Sequence, residues 1–203
     1  MHKFFVIILT VFTIHVNGQS PFVVDQNASS IRWEGNYIIG GGHDGTVKIK
    51  SGELSLEGTS IKSAELIIDM NSIRNSDNKS TEDDDLDKHL KSPDFFAADQ
   101  YSLAYFTFVS AKPPNPRAAD GSLYVTGILT IKGISNTIHF PAKVSIEKLP
   151  AGKEAVNVSC EFTIDRTAWD ITYQSLSYFA NLKDGAISND IKITVNLKFK
   201  NGC

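Results

Sequence analysis

An alternation of apolar and polar side chains with a period of two recurs along the 203 residues, and it constrains the fold more than any other feature. Val47 and Ile49 share one face, Lys48 and Lys50 the other. Ala64, Leu66, Ile68 and Met70 form the next stripe, opposite Glu65 and Asp69. Ala104, Phe106 and Phe108 follow, then Val125, Gly127, Leu129 and Ile131. Ile138, Phe140, Ala142, Val144 and Ile146 make another stripe, and Val156, Val158, Cys160, Phe162 and Ile164 the one after. The last is Ile191, Ile193, Val195, Leu197 and Phe199, with lysines, Thr194 and Asn196 between. Successive side chains of a strand point to opposite faces, so each stripe reads as a strand with one buried face. Turn-forming stretches separate them: Pro113–Pro116, Asp120–Gly121, Lys132–Gly133 and Pro150–Gly152. About eight such strands imply an all-β fold, either a closed antiparallel barrel or a sandwich. The short link Gly133–Thr137 predicts a hairpin. Leu54 and Leu56 resume the alternation after Gly52 with shifted parity, which places a bend or turn at Ser51–Gly52.

Two stretches break the pattern. STEDDDLDKHLK, from Ser80, has a capping-type start, early acids, late lysines, and Leu86 and Leu90 four apart. These signals predict a short helix over about 81–91, stopped by Pro93. Asp165–Asn189 is long for a hairpin loop and carries Trp169, Tyr173, Tyr178 and Phe179. Loops of that length in compact domains are often functional.

The N-terminus is set apart. MHKFFVIILTVFTIHVNGQS has a basic Lys3, an apolar run from Phe4 to Ile14, and small residues Val16 and Gly18 before Gln19. It reads as a secretory signal peptide over 1–18, cleaved near Gly18–Gln19. A single domain over 19–203 is then expected, periplasmic or secreted. The apolar run is short for a transmembrane helix, and no later segment reaches that length. Export would permit a disulfide between Cys160 and Cys203, which the sequence leaves undecided. The alternation favours Cys160 as a small core residue. A net charge of −3 and a pI near 5.9 argue against a nucleic-acid partner.

Reactive chemistry finds little support. There is no G-x-S-x-G elbow, and Cys160 falls in phase with apolar neighbours. His43, His89 and His139 lie far apart in sequence, without metal-ligand spacing, so no metal is expected. His139 alternates against Ile138 and Phe140 and is expected to face solvent. The acidic run Glu82–Asp87 lacks the central glycine of a calcium loop and fits a helix start. GGGHDG at 40–45 raises the question of a working His43–Asp44 pair, but no helix or G-K-[ST] follows it. A bend that uses glycine is the expectation there. What remains is an apolar interior, and alternation alone does not separate a filled sandwich from a barrel holding a ligand.

Six stretches in order resemble the YceI-like family of exported, polyisoprenoid-binding, lipocalin-like bacterial proteins. They are GGGHDGTVKIKSGELSLEG, SAELIIDMNSI, LDKHLKSPDFFAADQYSLAYFTF, YVTGILTIKGISNTIHFPAKV, DRTAWDITYQS and NDIKITVNLKF, spanning about Phe22 to Lys200. The resemblance implies an elongated eight-stranded antiparallel lipocalin-like barrel, a long apolar cavity and a helix near its mouth. It implies a long-chain amphiphile as ligand, either an isoprenoid-tailed quinone or precursor or a fatty-acid derivative, held for transport or storage. It implies no catalysis and no other cofactor. His43, Arg166 and the series His89, Leu90, Ser92, Asp94, Phe95 and Phe96 match the family's recurring positions. Asp170 departs, since a glycine commonly follows the aromatic residue there.

On this reading the expected lining is Phe106, Phe108, Leu129, Ile131, Ile138, Phe140, Val158, Phe162, Ile193 and Val195. Trp169 and Tyr173 join it near the mouth, with His43 and Arg166 as polar candidates. Arg166 could instead pair with Asp165 and fix the loop. Two further readings stay open: a lipid-modifying enzyme using His43 or His89, and a protein-recognition module without a cavity. A homodimer is also left open.

Overall fold

Each stripe becomes a strand in the computed structural model, which describes residues 20–58, 60–76, 81–113, 122–179 and 185–201. The strands are β1 (Phe22–Val24), β2 (Ser30–Tyr37), β3 (Gly42–Glu57), β4 (Ser60–Asn75), β5 (Leu103–Lys112), β6 (Leu123–Ile131), β7 (Ile134–Lys148), β8 (Glu154–Asp165) and β9 (Ile187–Asn201). One helix, α1 (Thr81–Lys91), lies between β4 and β5 at the predicted place. The N-terminal stretch read as a signal peptide, Cys203, Ser80 and the turn residues Pro114–Pro116 and Asp120–Gly121 fall outside the described residues.

Neighbouring strands are antiparallel, and the pairing of β3 with β4 and of β2 with β9 closes the sheet on itself. Short β1 was not legible as a stripe. It pairs with β3 at Leu54 and Glu53 and with β9 at 199–201, whereas β2 pairs with the same two strands further along. β1 and β2 therefore share one barrel position. Between them lies the 3-10 turn Gln26–Ala28, whose first N–H groups donate to the Asp25 carboxylate. The result is an eight-position antiparallel barrel with one short helix. Closure removes every free edge and decides the choice against a sandwich.

The parity shift near Gly52 is not a turn. β3 runs unbroken through it for 16 residues, about 50 Å of strand. Ile49 pairs with Ile68 and Ser51 with Ile67, so Lys50 is an extra residue in the ladder. Such a bulge returns Gly52 and Leu54 to the inside and sharpens the strand's curvature.

The two ends of the barrel differ in their connections. One end carries the β2–β3 turn, α1, the β6–β7 hairpin and the described residues 166–179 and 185–186. The other, the floor, carries β1 and the β3–β4 and β7–β8 turns. Phe22, Val24, Leu54, Val156 and Phe199 are buried at the floor.

Candidate functional site

The inward stripes do not fill the barrel. They enclose a cavity of ≈ 420 Å³. Every residue expected in the lining stands in its wall except one: Phe106, Phe108, Leu129, Ile131, Ile138, Phe140, Val158, Phe162, Tyr173, Ile193 and Val195. On one side of the wall, Phe140 stacks on Phe162 at 4.6 Å and meets Phe106 at 5.9 Å. The fully packed interior that a cavity-free module would have is not seen.

Trp169 is the exception. It lies in the 3-10 turn Arg166–Trp169, is 2% exposed, and is absent from the cavity wall. Its indole Nε1 donates to the Leu129 carbonyl at 3.1 Å. An indole whose one donor is satisfied by a neighbouring strand acts as packing. Asn136 Nδ2 and Lys132 Nζ, from the β6–β7 hairpin, hold the same turn through the Ala168 and Asp170 carbonyls, each at 2.8 Å.

Arg166 borders the cavity, and its backbone-directed hydrogen bonds identify its structural role. The side chain is fully buried. Nε donates to the Ser188 carbonyl (2.9 Å), Nη1 to Ile171 (2.7 Å) and Nη2 to Ile187 (3.2 Å). It pins the two limbs of the long loop together. Burial lowers the guanidinium's pKa, and the Asp165 charge opposes this. Arginine remains charged regardless. The Asp165 carboxylate accepts from the N–H and hydroxyl of Thr167, so it caps the turn and is not hydrogen-bonded to Arg166. Asp170 then adopts left-handed geometry (φ 56°, ψ 37°), the conformation that favours glycine.

His43 and Asp44 cannot act as a pair. They are consecutive strand residues and point to opposite faces. His43 borders the cavity, with Nε2 3.5 Å from the Tyr37 hydroxyl. Asp44 faces outward and bonds Arg32 at 2.6 Å. The glycines around them have separate roles. Gly40 takes φ +104° in the turn, and a Cβ on Gly45 would fall 1.9 Å from the Arg74 carbonyl and 2.5 Å from the Trp33 ring. Asn36 is exposed and also lines the cavity, so the cavity meets solvent beside this turn.

Helix α1 supplies residues that the strand stripes did not reveal. Leu86, His89 and Leu90 share one face at i, i+3 and i+4 and all line the cavity. After α1 the chain turns sharply, with Phe96 N–H bonded to the Leu90 carbonyl, and brings Phe95 beneath the helix. His89, Phe95 and Tyr173 form an aromatic cluster with centroids 4.6 to 5.4 Å apart. The motif HLKSPDFF was the available signal. Its placement depends on where α1 docks.

Cys160 faces the cavity and is free of any disulfide. Burial pushes its thiol pKa up to about 12. His139 is exposed, 3.0 Å from Thr126 Oγ1, as the alternation indicated. Among the described residues no group of three His, Cys, Asp or Glu side chains is placed to hold a metal. No helix among them is long and apolar enough to cross a membrane.

These features define the class as a closed up-and-down β-barrel with an apolar internal cavity and a helix over one end. Within that class the chain belongs to the YceI-like domain family, which matches residues 22–199. It is similar in structure to BcnA of Burkholderia cenocepacia, with a TM-score of 0.64 at 20% identity, covering 86% of this chain and 98% of that one. The YCEI protein of Campylobacter jejuni gives 0.56 at 19% identity with both chains fully covered. A domain from Saccharophagus degradans, described as polyisoprenoid-binding and implicated in plant cell wall breakdown, gives 0.59 at 16% identity. That match covers 90% of this chain and 99% of the other. No curated protein matches the chain.

Proposed function

We propose that this protein holds a long-chain amphiphile in the barrel, for transport or storage, and is not an enzyme. The ligand is an isoprenoid-tailed quinone or precursor, or a fatty-acid derivative. The signal-like N-terminus supports a periplasmic or secreted location. The observation that carries the reading is the ≈ 420 Å³ cavity, walled almost throughout by aliphatic and aromatic side chains. That volume lies in the range of small-molecule sites. Each buried CH₂ contributes about 0.8 kcal/mol, so ten of them offer about 8 kcal/mol before the costs of association. The polyisoprenoid-binding description of the Saccharophagus degradans domain supports the same ligand class. Solvent access at Asn36, beside Tyr37 and His43, supports loading through the end that carries α1.

Titration of delipidated protein with isoprenoid and fatty-acyl fluorescent probes tests this reading. Saturable uptake is expected, with His43→Ala retaining it. Absence of uptake of either probe would remove the basis for the proposal. A lipid-modifying activity lost in His43→Ala would restore the enzyme reading.

A further inference from the structure

Among the described residues, the buried side-chain polar atoms without a hydrogen-bond partner are Trp33 Nε1 and His89 Nε2. Both residues line the cavity. Buried polar atoms are nearly always paired, because an unpaired one loses its hydration without compensation. Elsewhere among the described residues the buried side chains obey that rule. Trp169 Nε1 has the Leu129 carbonyl, Arg166 has three carbonyls, and fully buried Ser175 donates from Oγ to Asn189 at 2.7 Å. The two exceptions both face the cavity.

They also belong to the same end of the barrel. The Trp33 ring lies over Gly45, beside the Arg74 carbonyl. The next residue, Asn75, donates its N–H to Asp87 of α1 at 2.6 Å. His89 is two residues further along that helix, with its ring against Phe95 and Tyr173. Resting on the lipid-binding reading above, we propose that the amphiphile enters tail first. Its oxygenated head group is buried beneath α1, with Trp33 and His89 as its hydrogen-bonding partners, and its tail runs toward the floor at Leu54 and Phe199.

The donor chemistry narrows the head group. An indole N–H only donates, so the atom facing Trp33 is an acceptor oxygen. A neutral imidazole offers Nε2 as donor or acceptor according to tautomer, and so takes a second carbonyl or a hydroxyl. The cation in this part of the wall, Arg166, already has three main-chain carbonyls as acceptors. A bare anion among Leu86, Leu90 and Phe95 would lose its hydration with few donors in return. The geometry therefore points to an uncharged, carbonyl- or hydroxyl-bearing head group over a carboxylate.

The test uses three probes of equal chain length: a methyl ketone, an n-alkane and a fatty acid. Each displaces the neutral dye N-phenyl-1-naphthylamine from the delipidated protein. Wild type is expected to bind the ketone about tenfold or more tighter than the alkane, one hydrogen bond's worth or better. In Trp33→Phe and His89→Phe the ratio of ketone to alkane affinity is expected to shrink toward one, while circular dichroism and thermal melting report that each variant is folded. Proton NMR of the wild type is independent of any variant. The chain has two tryptophans. The Trp33 indole N–H is expected to move downfield with ketone and not with alkane, and that of Trp169 to stay. Equal binding of ketone and alkane, tighter binding of the acid, or an unmoved Trp33 N–H would overturn the proposal and leave the apolar-cavity reading standing. Failure of all three probes to bind wild type would instead remove the lipid-binding reading itself.

Discussion

The two ends of this barrel are closed by different means. At the floor, Phe22, Val24, Leu54, Val156 and Phe199 are all under a tenth exposed. Here β1 fills the barrel position that β2 has left, and apolar packing closes the end. At the opposite end the cover is a helix and a loop, tied by directed hydrogen bonds: Arg166 to three carbonyls, Trp169 to Leu129, and Ile187 N–H to the Gln174 carbonyl. Apolar packing is non-directional and leaves nothing for a polar ligand to recognise. A hydrogen-bonded cover can place polar atoms at chosen points and can be opened without unpacking a core. One end is closed by packing, the other by directed contacts.

Substitutions can break this contrast. The largest effect is expected for Arg166→Leu. It strips the hydrogen bonds from the Ile171, Ile187 and Ser188 carbonyls and should cost about 3–5 kcal/mol in urea denaturation. A loss below about 1 kcal/mol would mean that the loop is held by other contacts. Gly45→Ala pushes a methyl against the Arg74 carbonyl and the Trp33 ring. It should cost about 1–3 kcal/mol and disturb probe binding at the helix end. Phe199→Leu at the floor should cost about 1–2 kcal/mol and leave the ranking of ketone over alkane intact. A changed ranking would show that the ends are not independent. Asp170→Gly relieves left-handed strain at an otherwise satisfied turn and should be worth at most about 1 kcal/mol of added stability.

Cys160 samples the wall between the two ends. With its thiol pKa at about 12, the thiolate fraction at pH 8 is about 10³-fold below that of a free cysteine. In a Cys203→Ser background, native protein should react with a thiol reagent more than about tenfold slower than the unfolded chain, since the higher nucleophilicity of a high-pKa thiolate offsets part of the lost thiolate fraction. The sign of the linked stability change follows. The folded pKa is raised above the ordinary 9.0, so the unfolded chain releases its proton first as pH rises. Stability is therefore lost between about pH 9 and 12. Cys160→Ala should lose less over that interval, and equal loss in both proteins would contradict the burial.

The floor and walls were legible because a two-residue alternation is a local signal, and ten of the twelve proposed lining residues come directly from the stripes. The helix over 81–91 was equally local, since its early acids and late lysines lie within its own residues. What escaped depends on tertiary placement. The bulge at Lys50 and a turn at Ser51–Gly52 give the same parity shift, and only the partner strand β4 tells them apart. β1 is too short to alternate visibly. Trp169 carries the composition of a ligand-facing aromatic, yet its role is set by the Leu129 carbonyl forty residues away. Leu86, His89, Leu90 and Phe95 could not be assigned to the cavity until α1 was seen lying over it.

The central claim is that the barrel holds a long-chain amphiphile. Mass spectrometry of an organic extract of the purified, undelipidated protein tests it most directly. The account expects a long-chain, oxygen-bearing lipid at a substantial fraction of one equivalent, and less of it in a variant whose cavity is filled, such as Val158→Trp. An extract free of such lipid, from protein that also refuses isoprenoid and fatty-acyl probes, would contradict it.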